Sequence, residues 1–331
     1  MPLLEVRDLH VDFPTRRGTL RALEGVSLTI EAGEILGVIG ESGAGKSLTG
    51  LAILGLLERP ARISSGEILF EGKDLVGLGE REMRRLRGRR IASIFQDPSS
   101  TLNPLFTVGE QLIETIRTHL NVDRQEAREH AIGWLEEAGI PAARQRIDSF
   151  PHEFSGGMRQ RVVIALALCA KPALVIADEP TTALDASVQA QILYLIRRLA
   201  KAHGTAIMLI THDMGVIAET ADRVAVVYAG RIVERGPVRD VVLNAAHPYT
   251  QGLMASIPPL DRKVERLHQI DGAMPRLNQI SRGCRFEPRC PHRMERCRED
   301  EPALVPSGAS FTRCWLADTS APRPRKLEVL D

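Results

Sequence analysis

The chain lacks any apolar run long enough to cross a bilayer: its longest, Val162–Ala170, is half of the roughly 18 residues that a spanning helix needs. The opening stretch does not read as a secretory leader. "MPLLEVRDLHVDF" sets Glu5 and Asp8 among its apolar residues, with no basic region or small-residue cleavage site, so a cytosolic chain is expected. An excess of one charge is missing too: 43 Lys and Arg stand against 42 Asp and Glu, a formal net charge of +1, and no global field draws the chain to nucleic acid or an anionic surface. Cysteine is scarce, with five in 331 residues, which excludes a disulfide scaffold, and in the cytosol thiols stay reduced. What remains is 44% hydrophobic and 26% charged, near the average for soluble globular proteins. The length suits one large domain plus an appendage, or two ordinary domains.

"LLEVRDLHVDF" and "VSLTIEAGEILGVIG" read as strands broken by the turn-rich "PTRRG" and "EAGE". The pattern turns helical from Gly45, and Val108–Leu120 and Arg124–Ala138 are amphipathic runs, which places a helical insert at about 98–157. After it come a helix at Met158–Leu168, the strand "ALVIAD", a helix at Val188–His203, the strand "AIMLIT", a helix at Met214–Thr220 and the strand "RVAVVYAG". Buried strands alternating with helices predict an α/β fold with a parallel sheet. From about Ile257 the texture changes to Pro, Arg and Cys with little periodicity, ending in the tail "ADTSAPRPRKLEVLD". We therefore expect one domain over 1–256 and an irregular extension over 257–331.

"GVIGESGAGKS" fits G-x-x-x-x-G-K-[ST] between an apolar strand and a helical run. Such a loop, here Gly40, Glu41, Ser42, Gly43, Ala44 and Gly45 followed by Lys46, Ser47 and Leu48, turns successive N–H groups toward phosphate at a helix N-terminus. Lys46 is expected at the β- and γ-phosphates of ATP, and the Ser47 hydroxyl at Mg²⁺. "ALVIADEP" delivers two carboxylates from a strand end: Asp178 for the Mg²⁺ shell and Glu179 as general base for an attacking water.

With "FSGGMRQR" between these halves, the sequence resembles the ATP-binding subunits of ABC transporters. The resemblance implies a P-loop ATPase of that type, with a RecA-like parallel core, antiparallel N-terminal strands and a helical subdomain. It implies that Ser155, Gly156 and Gly157 form the signature motif, serving the ATP of a second ATPase subunit. Gln96 in "IFQDP" then matches the glutamine that touches Mg²⁺ and the attacking water, Asp185 in "TTALD" the D-loop, and His212 in "LITHD" the switch histidine at the γ-phosphate. Phe13 is the candidate for stacking on adenine, with Arg21 an alternative through its cation.

"FQDPSSTLNPLFTVGEQ", "SGGMRQRVVIALAL" and "HPYTQGLMASIP" narrow the resemblance to the dipeptide and oligopeptide importers, whose relatives also carry nickel and other small solutes. Those importers pair two ATPase subunits with two membrane permeases and an extracytoplasmic binding protein. The implied place is peripheral, on the cytoplasmic face of the cell membrane. A soluble ABC ATPase of DNA repair or translation fits poorly, since such proteins usually carry two cassettes or a long coiled coil.

Four of the five cysteines, Cys284, Cys290, Cys297 and Cys314, are spaced C-x5-C-x6-C-x16-C. A zinc site usually opens with C-x2-4-C. Four thiolates also hold iron–sulfur clusters, and the resemblance to importer ATPases favours [4Fe–4S], with Zn²⁺ and reduced, packed cysteines left open. Too little apolar residue is present there for a core of its own, so a cross-link is expected to supply order. His247 and His292 read as packing or surface histidines, and Cys169 as core.

Overall fold

The structure, a computed structural model, describes residues 1–182, 184–257 and 269–317. Alternation builds the first layer: Leu4, Val6, Leu9 and Val11 are buried along β1 (Leu4–Thr15), which pairs antiparallel with β2 (Gly18–Ile30). The apolar β3 (Ile35–Ile39) leaves this layer for the main sheet. β4 (Arg62–Phe70) returns antiparallel along the other edge of β1, followed by the short β5 (Lys73–Asp74). The sequence reading passed over β4, because only Ile68 and Phe70 of its nine residues are buried and its first half carries no apolar alternation.

The main sheet adds β6 (Ile91–Ile94), β7 (Leu174–Asp178), β8 (Ala206–Thr211), β9 (Arg223–Tyr228) and β10 (Arg231–Pro237). The strands β6, β7, β8, β3 and β9 lie side by side and parallel, and β10 turns back antiparallel to β9. Alternate residues of these strands face two different cores. Ile207 and Leu209 join the core on the helical side, while Met208 and Ile210 join the core shared with the antiparallel layer. That two-sided burial explains why the strands read as unbroken apolar runs.

Between β6 and β7 lie the helices Val108–His119 and Arg124–Glu137, in the region where an insert is expected, and Gly156–Leu168, the helix expected after it. Their starts are written in the sequence: Thr107 with Glu110, and Asp123 with Glu126, form reciprocal capping boxes.

The cysteine-bearing segment does not build a core; it borrows one. Phe286 is 2% exposed and packs edge-on to Tyr228 at 5.2 Å and tilted on Tyr249 at 5.4 Å, both from the preceding 256 residues. The hairpin β11 (Val305–Ser307) and β12 (Ser310–Thr312) adds to the free edge of β10 through Glu234↔Thr312 and Arg235↔Phe311, lengthening the main sheet to eight strands. The stretch 258–268 and the tail from 318 lie outside the described residues. Among the described residues no helix is long and apolar enough to cross a membrane.

Candidate active site

The turn out of β3 is shaped by two glycines. A methyl on Gly40 would fall 2.2 Å from the Val227 carbonyl oxygen, and Gly45 takes φ 104° while facing Leu23. This geometry lets the chain fold back over itself and start the helix Lys46–Leu54 with its N–H groups free. Lys46 is only 5% exposed, its Nζ donating to the carbonyls of Gly40 at 2.8 Å and Glu41 at 3.0 Å. Burial pushes its pKa down while the charges of Glu179, Asp178 and Glu41 pull it back. Ser42, Gly43 and Ser47 lie exposed around it, Ala44 is buried, and Leu48 is half-buried.

Asp178, at the tip of β7, accepts from Ser47 Oγ at 3.0 Å. Burial raises its pKa, Ser47 opposes that, and the adjacent Glu179 carboxylate adds to the rise. A divalent cation here would meet a hydroxyl and a carboxylate already facing each other, which fits the hard oxygen donors that Mg²⁺ takes.

Glu179 itself stands in the left-handed region, φ 46°, an uncommon place for a residue with a side chain. Its N–H donates to the Ile210 carbonyl on β8, which fixes the strained turn. Three side chains then converge on its carboxylate: Thr182 Oγ1 at 2.8 Å, Gln96 Nε2 at 3.2 Å and His212 Nδ1 at 3.2 Å. Burial pushes Glu179 upward, but the bonds from Thr182 and His212, with the charges of His212 and Lys46, outweigh it and hold the group below its ordinary range. It is therefore kept anionic.

Sequence reasoning places Gln96, Lys46, Ser47, Asp178, Glu179 and His212 together, and they are together. Thr182 was not anticipated; a hydroxyl three residues after the carboxylate is the signal that could have found it. Ser155, Gly156 and Gly157 form a different surface. Ser155 caps the helix Gly156–Leu168 by accepting the Met158 N–H at 3.3 Å, and a methyl on Gly157 would strike Val188 Cγ1 at 2.8 Å. Asp185 caps the helix Ala186–His203 by accepting the Val188 N–H at 3.0 Å, so Gly157 and Asp185 meet at one helix start. Phe13 is half-buried in β1 opposite Leu20, beside the Asp12–Arg21 pair at 3.0 Å.

The four late thiols line one small cavity, with His247 and Phe286. Burial pushes Cys284 up to about 12, with the neighbouring thiols Cys297, Cys314 and Cys290 adding to the rise, and pushes Cys314 up to about 11. Among the described residues no group of three or more His, Cys, Asp or Glu is placed to hold a metal ion. His247 is buried, His292 exposed, and Cys169 is 1% exposed in the core.

The profile of the ABC transporter family matches residues 23–182, and that of the oligopeptide/dipeptide transporter C-terminal region matches residues 233–297. The oligopeptide transport ATP-binding protein OppD of Bacillus subtilis (strain 168) is 48% identical, over 99% of this chain and 92% of its own length. The dipeptide transport ATP-binding protein DppD of the same organism is 46% identical, over 96% of each chain. OppD of Escherichia coli (strain K12) is 48% identical, over 91% of this chain and 89% of its own. Among solved structures, the ATP-binding cassette MJ0796 in a dimeric post-hydrolysis state with ADP and Pi aligns with TM-score 0.64 at 26% identity, over 71% of this chain and 99% of that one. The protein cbiO1 of Clostridium perfringens, part of the transporter complex cbiONQ, aligns with TM-score 0.63 at 28% identity, over 73% and 91%. The phosphate loop, the paired carboxylates and this likeness over nearly the whole length agree: the chain belongs to the ATP-binding ATPase subunits of the oligopeptide and dipeptide ABC transporters.

Proposed function

We propose that the chain is the motor of an importer for di- and oligopeptides, held on the cytoplasmic face of the membrane by two permease subunits. It works beside a second ATPase subunit, and an extracytoplasmic binding protein delivers cargo. The observation that carries the motor role is the anionic Glu179, fixed by Gln96, Thr182 and His212 beside the Lys46 and Ser47 loop. The peptide cargo is supported by the relatives' names and by the C-terminal match.

In this reading the N–H groups of Gly40 through Gly45 and the start of the following helix receive the triphosphate, with Leu48 in that helix's first turn and Phe13 on the adenine side. Lys46 leaves its two carbonyls for the β- and γ-phosphates. Ser47, Asp178 and Gln96 hold Mg²⁺, which when bound neutralises charge on the phosphates. Glu179 orients water and takes its proton, and His212 contacts the γ-phosphate. Ser155–Gly157 and Asp185 belong to the surface that meets the partner's nucleotide, where the positive end of the helix after Ser155 favours an anion.

The four cysteines are proposed to hold a [4Fe–4S] cluster. Support comes from four soft donors lining one cavity. Their burial opposes thiolates until a cation balances them. Anaerobic purification with metal analysis tests this: about four iron atoms per chain are expected, and stoichiometric zinc without iron overturns it.

The cargo is tested by assembling the chain with its permeases, second ATPase and binding protein in vesicles. ATP-driven uptake of labelled di- and oligopeptides is expected; uptake of nickel or an oligosaccharide instead of peptides overturns the peptide reading and leaves the motor role.

A further inference from the structure

The extension reaches the phosphate loop through one side chain. The side chain of Arg289 is 7% exposed, at the end of the single turn Glu287–Arg289 and next to Cys290. Its Nη1 and Nη2 donate to the two carboxylate oxygens of Glu41 at 2.9 and 3.1 Å, a bidentate pair. The other donors go to the Asp271 carbonyl at 2.8 Å, the Ile270 carbonyl at 3.2 Å and the Tyr228 hydroxyl at 3.4 Å. Each of the guanidinium's N–H groups thus has an acceptor, and the group lies over the Tyr228 ring at 5.8 Å.

Glu41 is gripped from a second side. Its N–H donates to the Tyr249 hydroxyl at 2.8 Å, and its carbonyl accepts both Lys46 Nζ at 3.0 Å and the Ala44 N–H at 3.1 Å. The carbonyl on which Lys46 rests is therefore set by two residues from the C-terminal quarter of the chain. Glu41 also places a carboxylate inside the loop that must receive a triphosphate. Unpaired, it would repel the phosphates and draw Lys46 toward itself.

Fastening alone does not account for this contact. The extension is already attached through Arg285, which bonds Glu24 and the Ala229 carbonyl, through Phe286 in the aromatic cluster, and through β12 on β10. Arg289 instead directs its fork at the phosphate loop itself.

We propose that Arg289 is a positioning residue of the nucleotide site: by pairing with Glu41 it holds the phosphate loop in its binding shape and cancels the loop's own negative charge. The inference rests on the nucleotide reading of Lys46 and Ser47 given above.

The test uses the full chain, purified without oxygen, and follows Mg²⁺-ATP binding and ATPase kinetics. Arg289→Gln is expected to weaken ATP binding and raise KM by about fivefold or more, with kcat within about twofold of wild type. Glu41→Gln removes the partner, and in that background Arg289→Gln is expected to add nothing further to KM. Arg289→Lys keeps charge without the fork and is expected to fall between wild type and Arg289→Gln; should Arg289→Gln not fold, the lysine variant carries the test. A KM at the wild-type value in the folded variant overturns the inference, as does an effect of Arg289→Gln that persists undiminished without Glu41. A pure fastening role would lower Tm and the active fraction and leave KM alone, which also overturns it. Wild-type chain that binds no Mg²⁺-ATP overturns the nucleotide reading together with this inference, whereas wild-type binding with an unaffected variant overturns the inference alone.

Discussion

Ser47 and Asp178 are separated by 131 positions in the chain, and the Ser47 hydroxyl donates to Asp178 Oδ1 at 3.0 Å. This bond ties the helix that follows the phosphate loop to the tip of β7 and marks where a cation would sit between them. Asp178→Asn keeps a polar partner for the hydroxyl and removes the charge. Mg²⁺-dependent hydrolysis is expected to fall on the order of a hundredfold or more. Because burial raises the wild-type Asp178 pKa, protons compete with Mg²⁺ on the acid side, so apparent Mg²⁺ affinity falls as pH drops. Mg²⁺ titrations at several pH values check this, and the Asn variant is expected to lack the slope.

Glu179 separates binding from turnover. Glu179→Gln keeps the shape and the acceptor for Thr182 and His212, so ATP binding is expected to persist while hydrolysis falls by about 10²–10⁴-fold. Equilibrium binding and steady-state turnover on one preparation read the two apart. Full turnover in the variant contradicts the role of base.

In the proposed reading the Ser155–Gly157 surface serves the nucleotide of a second ATPase subunit, so two subunits complete a site. Specific ATPase activity of the lone chain is expected to be low and to fall on dilution, then to rise when the partner ATPase and permeases are added. A rate per chain indifferent to dilution and to partners would sink the shared-site arrangement.

His247 ties folding to pH. Complete burial pulls its pKa from 6.5 down to about 3, with only the Arg313 backbone opposing, so the folded protein keeps the ring neutral. Between those two values the unfolded chain binds a proton that the folded chain refuses, and stability falls as pH falls across that window. Its Nδ1 accepts the Tyr249 N–H at 3.0 Å, and His247→Asn preserves a cap acceptor without the titration. Chemical denaturation at pH values from 7 downward (~7 being the ordinary assay range) is expected to give a shallower acid slope for the variant. Parallel slopes contradict the assignment.

Much of the nucleotide site is legible in the sequence because its chemistry is local. Gly40 to Ser47 are contiguous, and Asp178 and Glu179 end a strand whose two-sided burial reads as an apolar run. Capping boxes likewise announce Val108 and Arg124. What the sequence hides is pairing at a distance. No periodicity tells that Tyr249 answers a residue 208 positions earlier, or Arg289 one 248 positions earlier. The extension misleads in the same way: its few apolar residues look insufficient until Tyr228 and Tyr249 are seen to supply the rings around Phe286.

The pairing of Arg289 with Glu41 also orders events on the ribosome. The loop is translated early and its guanidinium partner late, so a nascent chain carries the phosphate cradle long before the piece that neutralises its carboxylate emerges. The outer edge of β10 waits too, over a shorter stretch of chain, for β12, bare and able to pair with another chain. A translation stop ahead of residue 289 therefore leaves the Glu41 carboxylate unpaired and the β10 edge open together, and the finished protein closes both at nearly the same moment.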